Sequence, residues 1–441
     1  MKDEDRNKIG IPAATAVGLG AIIGAGIYVL SGTAVALAGA YALVAFIIVG
    51  ILAIIIALEL GELGSMMPYV RGASYSYTYK AFGSELGFIT GMLRYMALAT
   101  SISAIALGFG SYLSNLIGVQ VATYAIPFAI ALIIVLSIVN LLGVKKAAMT
   151  DLVLVTIKIG ILLLFVAFAL FIAFSKTHFM HINTGLSSGI GAGSIFAASV
   201  VVFFAYSGYQ SIASLTDRIK GGAKGYVRSI LSAVLISIVI YILVVMALLI
   251  LLPPASYKVS ADPLSYALKS SGAPAWLHYA VDFGALIATA SAAIAMLLSS
   301  SRSLYQMSAD RLLPRFFMKY DRKKDAAQNG IIVSALIGIA MLFSGNIYVI
   351  ASIANFGLMF DYLIINFDVI HFRRLGKKAP FRMPLYPYLP AVGMILLIAF
   401  FTGLPKEALV VGVIAVLALL TIYYLAREVE EKKVIRVKLF K

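Results

Sequence analysis

Twelve stretches of mainly apolar residues follow one another through this 441-residue chain, at about 13–37, 41–62, 85–115, 123–142, 150–174, 190–215, 227–252, 276–304, 329–345, 347–371, 385–403 and 406–426. Crossing the hydrocarbon core of a bilayer as an α-helix takes roughly 20 such residues. Lipid admits only helices or closed barrels, because every backbone N–H and C=O must find a partner inside the protein. The alternating ten-residue strands of a barrel do not occur. Composition agrees: 62% of residues are hydrophobic and 12% charged, against about 25% charged in a soluble domain. The sequence predicts an all-α polytopic membrane protein of twelve transmembrane helices, one membrane domain over 1–441. Its first span is not a cleavable signal, since a short apolar core with a cleavage site is missing.

The net charge of +16 would suggest nucleic acid in a soluble protein. Its distribution says otherwise. Numbering the spans in order, the loops on the side of the amino terminus hold 29 of the 35 Lys and Arg residues, and the opposite side holds Lys176, Lys258, Lys269 and Lys406. Cytoplasmic loops carry such an excess, so both termini are expected in the cytoplasm and the chain in the cell membrane, as a multi-pass protein in contact with the lipid bilayer. No nucleic-acid binding is expected.

Common chemical motifs fail. There is no G-x-x-x-x-G-K-[ST], so no ATP is bound through a P-loop. Gly185-Leu-Ser-Ser-Gly189 matches G-x-S-x-G by letter, but in a loop and without Asp or His partners. His178 and His181 lack the carboxylates that would complete a metal site. With no cysteine, thiolate sites and disulfides are ruled out. No enzyme activity, metal or cofactor is expected.

Function must then lie in polarity within the spans. Span 1 carries Gly18, Gly20, Gly24 and Gly26 within nine residues, each costing a helix roughly 1 kcal/mol relative to alanine. The pattern suits close helix packing, or a broken helix whose freed backbone groups line a cavity. In span 6, Phe203-Phe-Ala-Tyr-Ser207-Gly208-Tyr-Gln-Ser211 sets one glycine among aromatics and hydroxyls. Interruptions at matching places in two halves point to a binding site. Lys158 lies seven residues past Asp151, about 10 Å along a helix; it either snorkels to the interface or is embedded and functional. Arg94 reads as a snorkelling or gate residue. Asp361 suits either a helix–helix hydrogen bond or an ion path.

Four ordered motifs resemble the amino acid–polyamine–organocation superfamily of transporters. They are Gly24-Ala-Gly-Ile-Tyr28 in span 1; Glu62-Leu63, Pro68 and Gly72-Ala-Ser-Tyr-Ser-Tyr77 before span 3; Ser301-Arg302 through Asp310 to Pro314 after span 8; and Arg373-Arg374, Pro380, Arg382, Pro384, Tyr386 and Pro387 before span 11. Two places depart from it: Asp217-Arg-Ile-Lys-Gly-Gly222 replaces E-x-x-N-P, and Met92 replaces a frequent tryptophan.

The resemblance implies a leucine-transporter-type fold with broken helices 1 and 6. Two inverted five-helix repeats would cover 10–175 and 188–372, with helices 11 and 12 at 384–426. Substrate would lie between spans 1, 3, 6 and 8, its amino and carboxylate groups on the backbone of Ile23, Gly24, Ala25 and Gly26. Phe204, Ala205, Ser207 and Gly208 would line span 6, with Phe204 as a lid. Sodium-dependent relatives hold a cation between span 1 carbonyls, here Gly20 and Ile23, and span 8 hydroxyls, here Thr289 or Ser291. Lys158 would put an ammonium there. The expectation is a sodium-independent, proton-coupled symporter of broad specificity for small neutral L-amino acids, with the amino acid and the proton as its partners. The alternatives are an obligate exchanger in which Lys158 is a fixed cation, or, more remotely, an ion channel or complex subunit; the pore motifs of channels do not occur.

Overall fold

In the computed structural model the described residues are 9–67, 74–143, 147–175, 191–208, 212, 219–321, 324 and 326–439. Pro12 opens α1 (Ile11–Ile22), where a proline has no N–H to leave unpaired and its φ is already helical. The helix stops at Ile22, and a π-helical turn (Gly26–Leu30) leads into α2 (Ser31–Ala38). A 3-10 turn then connects to α3 (Ala42–Met66).

The chain continues through a short α4 (Ser74–Phe82), α5 (Ser84–Ile117), α6 (Val121–Leu142) and α7 (Ala147–Ser175). Next come α8 (Ala192–Tyr206), α9 (Gly222–Leu251), α10 (Pro263–Ser271) and α11 (Ala275–Ala309). The last four are α12 (Gln328–Met341), α13 (Ile347–Arg374), α14 (Tyr388–Phe401) and α15 (Lys406–Leu439).

Eight helical runs among the described residues are long and apolar enough to cross a membrane. The first, Ile11–Met66, contains two of the expected spans, and α8, α12 and α14 are shorter apolar helices. The protein is thus nearly all-helical and polytopic in character. Hydropathy did not register α4 or α10, which are short and half polar, nor the antiparallel pair β1 (Tyr320–Asp321) and β2 (Ala326–Ala327). Span 6 was expected to run to about 215; its helix ends at Tyr206. Arg71, Lys145, Lys146, His178, His181, Gly185–Gly189 and Asp217-Arg218 lie outside the described residues.

α5 packs along α11 and α13, α3 against α9 and α8, and α1 against α9 and α7. Leu142, Phe171 and Ile395 are 67%, 65% and 65% exposed, an apolar exterior that suits lipid rather than water. Buried hydroxyls such as Ser101, Ser114, Ser137 and Ser237 donate to the carbonyl four residues back, which satisfies them without a neighbouring helix.

Candidate substrate and cation site

The end of α1 explains how a helix can stop inside an apolar core. Its last four carbonyls have no partners within the helix, and three of them are answered. Leu19 O accepts from Ile23 N at 2.7 Å, Ile22 O from Gly24 N at 2.8 Å, and Gly20 O from Lys158 Nζ at 3.2 Å. Ile23, at φ −76° and ψ 76°, is the centre of an inverse γ-turn. Tyr241 on α9 adds a phenol whose oxygen lies 2.7 Å from Ile22 O and 2.9 Å from Ala205 O on α8, so one O–H is shared by both helix ends.

Helix α8 ends facing this turn. Ser207 is extended (φ −68°, ψ 152°), its hydroxyl donating to Phe204 O at 2.7 Å. Gly208 follows at φ +117°, where a Cβ would lie 2.5 Å from Ala21 O. Only glycine fits that conformation and that contact. At Gly26 an added Cβ would fall 2.2 Å from Ala205 Cα, and at Gly24 2.8 Å from Ala292 Cβ on α11. The close approach these two glycines permit is therefore to α8 and α11.

Between the breaks is a small cavity. Of the residues singled out in the sequence, Gly24, Ala25, Gly26, Phe204 and Ser207 line it; Ala21, Ile22, Ile105, Ala292 and Met296 complete the wall. Among the described residues, none that lines it is charged. Ile23, Ala205 and Gly208 shape the wall from behind: Ile23 holds the γ-turn, Ala205 meets Gly26 and Tyr241, and Gly208 meets Ala21. The N–H groups opening the second half of the broken helix have no preceding helical carbonyl to serve, the usual setting for an anion.

Lys158 is 1% exposed, so it does not snorkel. Besides Gly20 O, its Nζ hydrogen-bonds Ser291 Oγ on α11, and Ser291 donates in turn to Ala288 O at 3.2 Å. Thr289, two residues earlier and so about 200° round the helix, sends its hydroxyl hydrogen to Ala285 O at 2.7 Å. The backbone carbonyl of Lys158 accepts from Tyr28 OH at 2.9 Å, and Tyr112 OH donates to Tyr28 O. Both sides of the break in α1 are thus tied to α7.

Tyr241, Ile105 and Met296 did not stand out in the sequence, and Tyr28 did so only as the end of a motif. A phenol in the apolar run Ile240-Tyr241-Ile242 was a usable signal, since a buried tyrosine hydroxyl seeks an acceptor. Ile105 and Met296 carry no signal at all. Arg94, expected to snorkel or gate, is 7% exposed and bonds Asp361 Oδ2 at 3.1 Å, with Ser74 Oγ donating to the same oxygen at 2.8 Å. Among the described residues no group of three or more His, Cys, Asp or Glu could hold a metal.

Comparison with known proteins places this architecture. The branched-chain amino acid permease BcaP of Bacillus subtilis is 28% identical over 95% of this chain and 93% of its own length. The methylthioribose transporter of the same organism is 29% identical over 89% of the chain and 87% of its length. A vacuolar cationic amino acid transporter of Arabidopsis thaliana is 26% identical over 82% of the chain and 59% of its length. The Amino acid permease family matches residues 9–426. This chain belongs to that family, within the amino acid–polyamine–organocation superfamily.

Proposed function

We propose that this protein is a sodium-independent, proton-coupled symporter of small neutral L-amino acids, working by alternating access. The observation that carries the proposal is Lys158 Nζ, buried between a carbonyl of the broken α1 and a hydroxyl of α11. In sodium-dependent transporters of the fold that the sequence resembles, the cation lies between such groups. Here an amine occupies the place, and an amine gains and loses a proton. When protonated it binds α1 to α11 through charge-assisted hydrogen bonds; when neutral it holds them less strongly.

The substrate's carboxylate is assigned to the N–H groups of Ala25 and Gly26, since the Gly24 N–H is already given to Ile22 O, and its side chain to the apolar wall of Ile105, Phe204 and Met296. That wall contains no carboxylate to pair a basic side chain, which favours neutral substrates. The names of the relatives span branched-chain and cationic amino acids and a methylthio-sugar, so the wall, rather than the family, decides what is carried. The cavity is small, so its wall must move for an amino acid to enter. The broader reading has twelve crossings, inverted repeats over 10–175 and 188–372, helices 11 and 12 at 384–426, and both termini on the cytoplasmic side of the cell membrane.

Purified protein in sodium-free proteoliposomes tests the reading. Labelled alanine should accumulate under an imposed proton gradient with no substrate inside. Uptake that requires preloaded amino acid would instead establish the obligate exchanger, with Lys158 as a fixed cation.

A further inference from the structure

Four carboxyl groups lie where α3 meets α13: Glu59 and Glu62 on α3, Asp361 and Asp368 on α13. All are 0% exposed. Two are paired with cations, although Asp361 Oδ1 has no hydrogen-bond partner. Arg373 grips Glu62 with two bonds of 2.7 and 2.6 Å, and Met383 N–H adds a third at 2.8 Å. Arg94 and Ser74 serve Asp361.

Among the described residues, the other two have no cation. Asp368 Oδ2 accepts from Thr78 Oγ1 at 2.8 Å, and its Oδ1 has no hydrogen-bond partner. Neither oxygen of Glu59 has one. Asp368 and Glu62 are the acids that act on Glu59, and Asp361 acts on Asp368; of these three, Glu62 and Asp361 are themselves paired with arginines. The neighbouring elements do not change the balance. Their titratable groups here are Tyr75, Tyr77, Tyr79 and the exposed Lys80 on α4, Arg94 on α5, Tyr206 on α8, Tyr226 and the exposed Arg228 on α9, and Tyr362, Arg373 and His371 on α13, the last one turn past Asp368 with its ring 4.8 Å from that of Phe82. Tyr226 OH donates to Leu60 O at 3.4 Å, and both buried arginines are already engaged by the other two acids. A buried, uncompensated carboxylate takes up a proton rather than stay charged, and two neighbouring ones do not ionise together.

We propose that Glu59 and Asp368 form a second proton-binding site, separate from Lys158, in which the pair retains a proton and so allows α3 to stay packed against α13. The two groups titrate as a unit. A protonated Glu59 is a donor as well as an acceptor.

The test uses purified full-length protein in lipid nanodiscs, with no substrate present. Infrared difference spectra between wild type and Glu59→Gln at about pH 7 should show loss of a protonated-carboxyl C=O band, since solvent-exposed acids are ionised there. Thermal unfolding supplies a second readout. A folded state that binds more protons than the unfolded one loses stability as pH rises. The wild-type melting temperature should therefore fall between about pH 5 and about pH 8, and the fall should be shallower in Glu59→Gln. Glutamine mimics the protonated acid in shape, so folding should survive; if it does not, Asp368→Asn is read in the same way. The proposal is overturned by difference spectra without that band and slopes equal to wild type. Stabilisation of wild type, but not of Glu59→Gln, by added sodium or potassium at fixed pH would also overturn it, by showing a metal cation where the proton is placed.

Discussion

Replacing Lys158 with alanine removes the link between α1 and α11 while leaving most of its surroundings intact. Gly20 O would lose its side-chain donor, and a buried acceptor without a partner costs about 1–3 kcal/mol. Ser291 loses less, because its own hydrogen still goes to Ala288 O. Tyr28 OH bonds the backbone carbonyl of residue 158, so the tie between α7 and the second half of the broken helix survives. The space vacated has a carbonyl and a hydroxyl at its rim, polar enough for water to enter and recover part of the loss. A stability loss of about 1–3 kcal/mol is therefore expected, small enough for the variant to fold. The loss of coupling should be complete. One proton per substrate across a gradient of one pH unit supports about tenfold accumulation, equal to about 1.4 kcal/mol. In sodium-free proteoliposomes wild type should approach that ratio, and Lys158→Ala should stay near equality while still exchanging labelled for unlabelled alanine. Lys158→Arg sharpens the test, because a guanidinium does not release its proton in a protein. A titrating lysine predicts an arginine variant that exchanges without accumulating. Accumulation by the alanine variant at the wild-type ratio would refute the assignment.

Tyr241→Phe keeps the ring and deletes the hydroxyl shared by Ile22 O and Ala205 O; a loss of about 1–3 kcal/mol is expected in denaturant or thermal unfolding, against none if the phenol is idle. Gly26→Ala sets a methyl 2.2 Å from Ala205 Cα and should destabilise by about 1–3 kcal/mol by forcing the broken segments apart, so an alanine variant as stable as wild type would show that the helices are not packed this way. Asn346 and Lys377, both exposed, flank the two ends of α13, and the native chain has no cysteine. A Cys at Asn346 should react with an impermeant maleimide from outside intact cells and one at Lys377 should not; the reverse pattern would invert the topology.

What the sequence revealed and what it hid divide along a physical line. The break in span 1 was legible because glycine acts locally: four in nine residues weaken a helix wherever it sits. Its shape was not, since the γ-turn at Ile23 depends on which carbonyls find donors, and the donors come from Lys158 and Tyr241, far along the chain. The same division explains the charged residues. Hydropathy could say that Lys158 and Arg94 lay within spans, but snorkelling and burial differ only in whether a partner waits inside. For Arg94 that partner is Asp361, 267 positions away.

The acidic residues of α3 carry this furthest. Glu59 and Glu62 stand one helical turn apart on one face, and the sequence analysis gave weight only to Glu62, as part of a motif. Nothing local distinguishes them. Folding gives Glu62 an arginine and leaves Glu59 with neither donor nor cation. A buried charge is tolerated when compensated and otherwise neutralised, so two glutamates of like surroundings in the sequence acquire opposite roles: a fixed ion-pair partner and a proton holder. Asp361 and Asp368 on the facing helix differ by an arginine alone: each accepts from a hydroxyl on one oxygen and leaves the other without a partner, and of the two Arg94 serves only Asp361. Proton binding in this chain is therefore a property of which carboxyls and amines the packing leaves unanswered, and Lys158, Glu59 and Asp368 are the groups to which that criterion points.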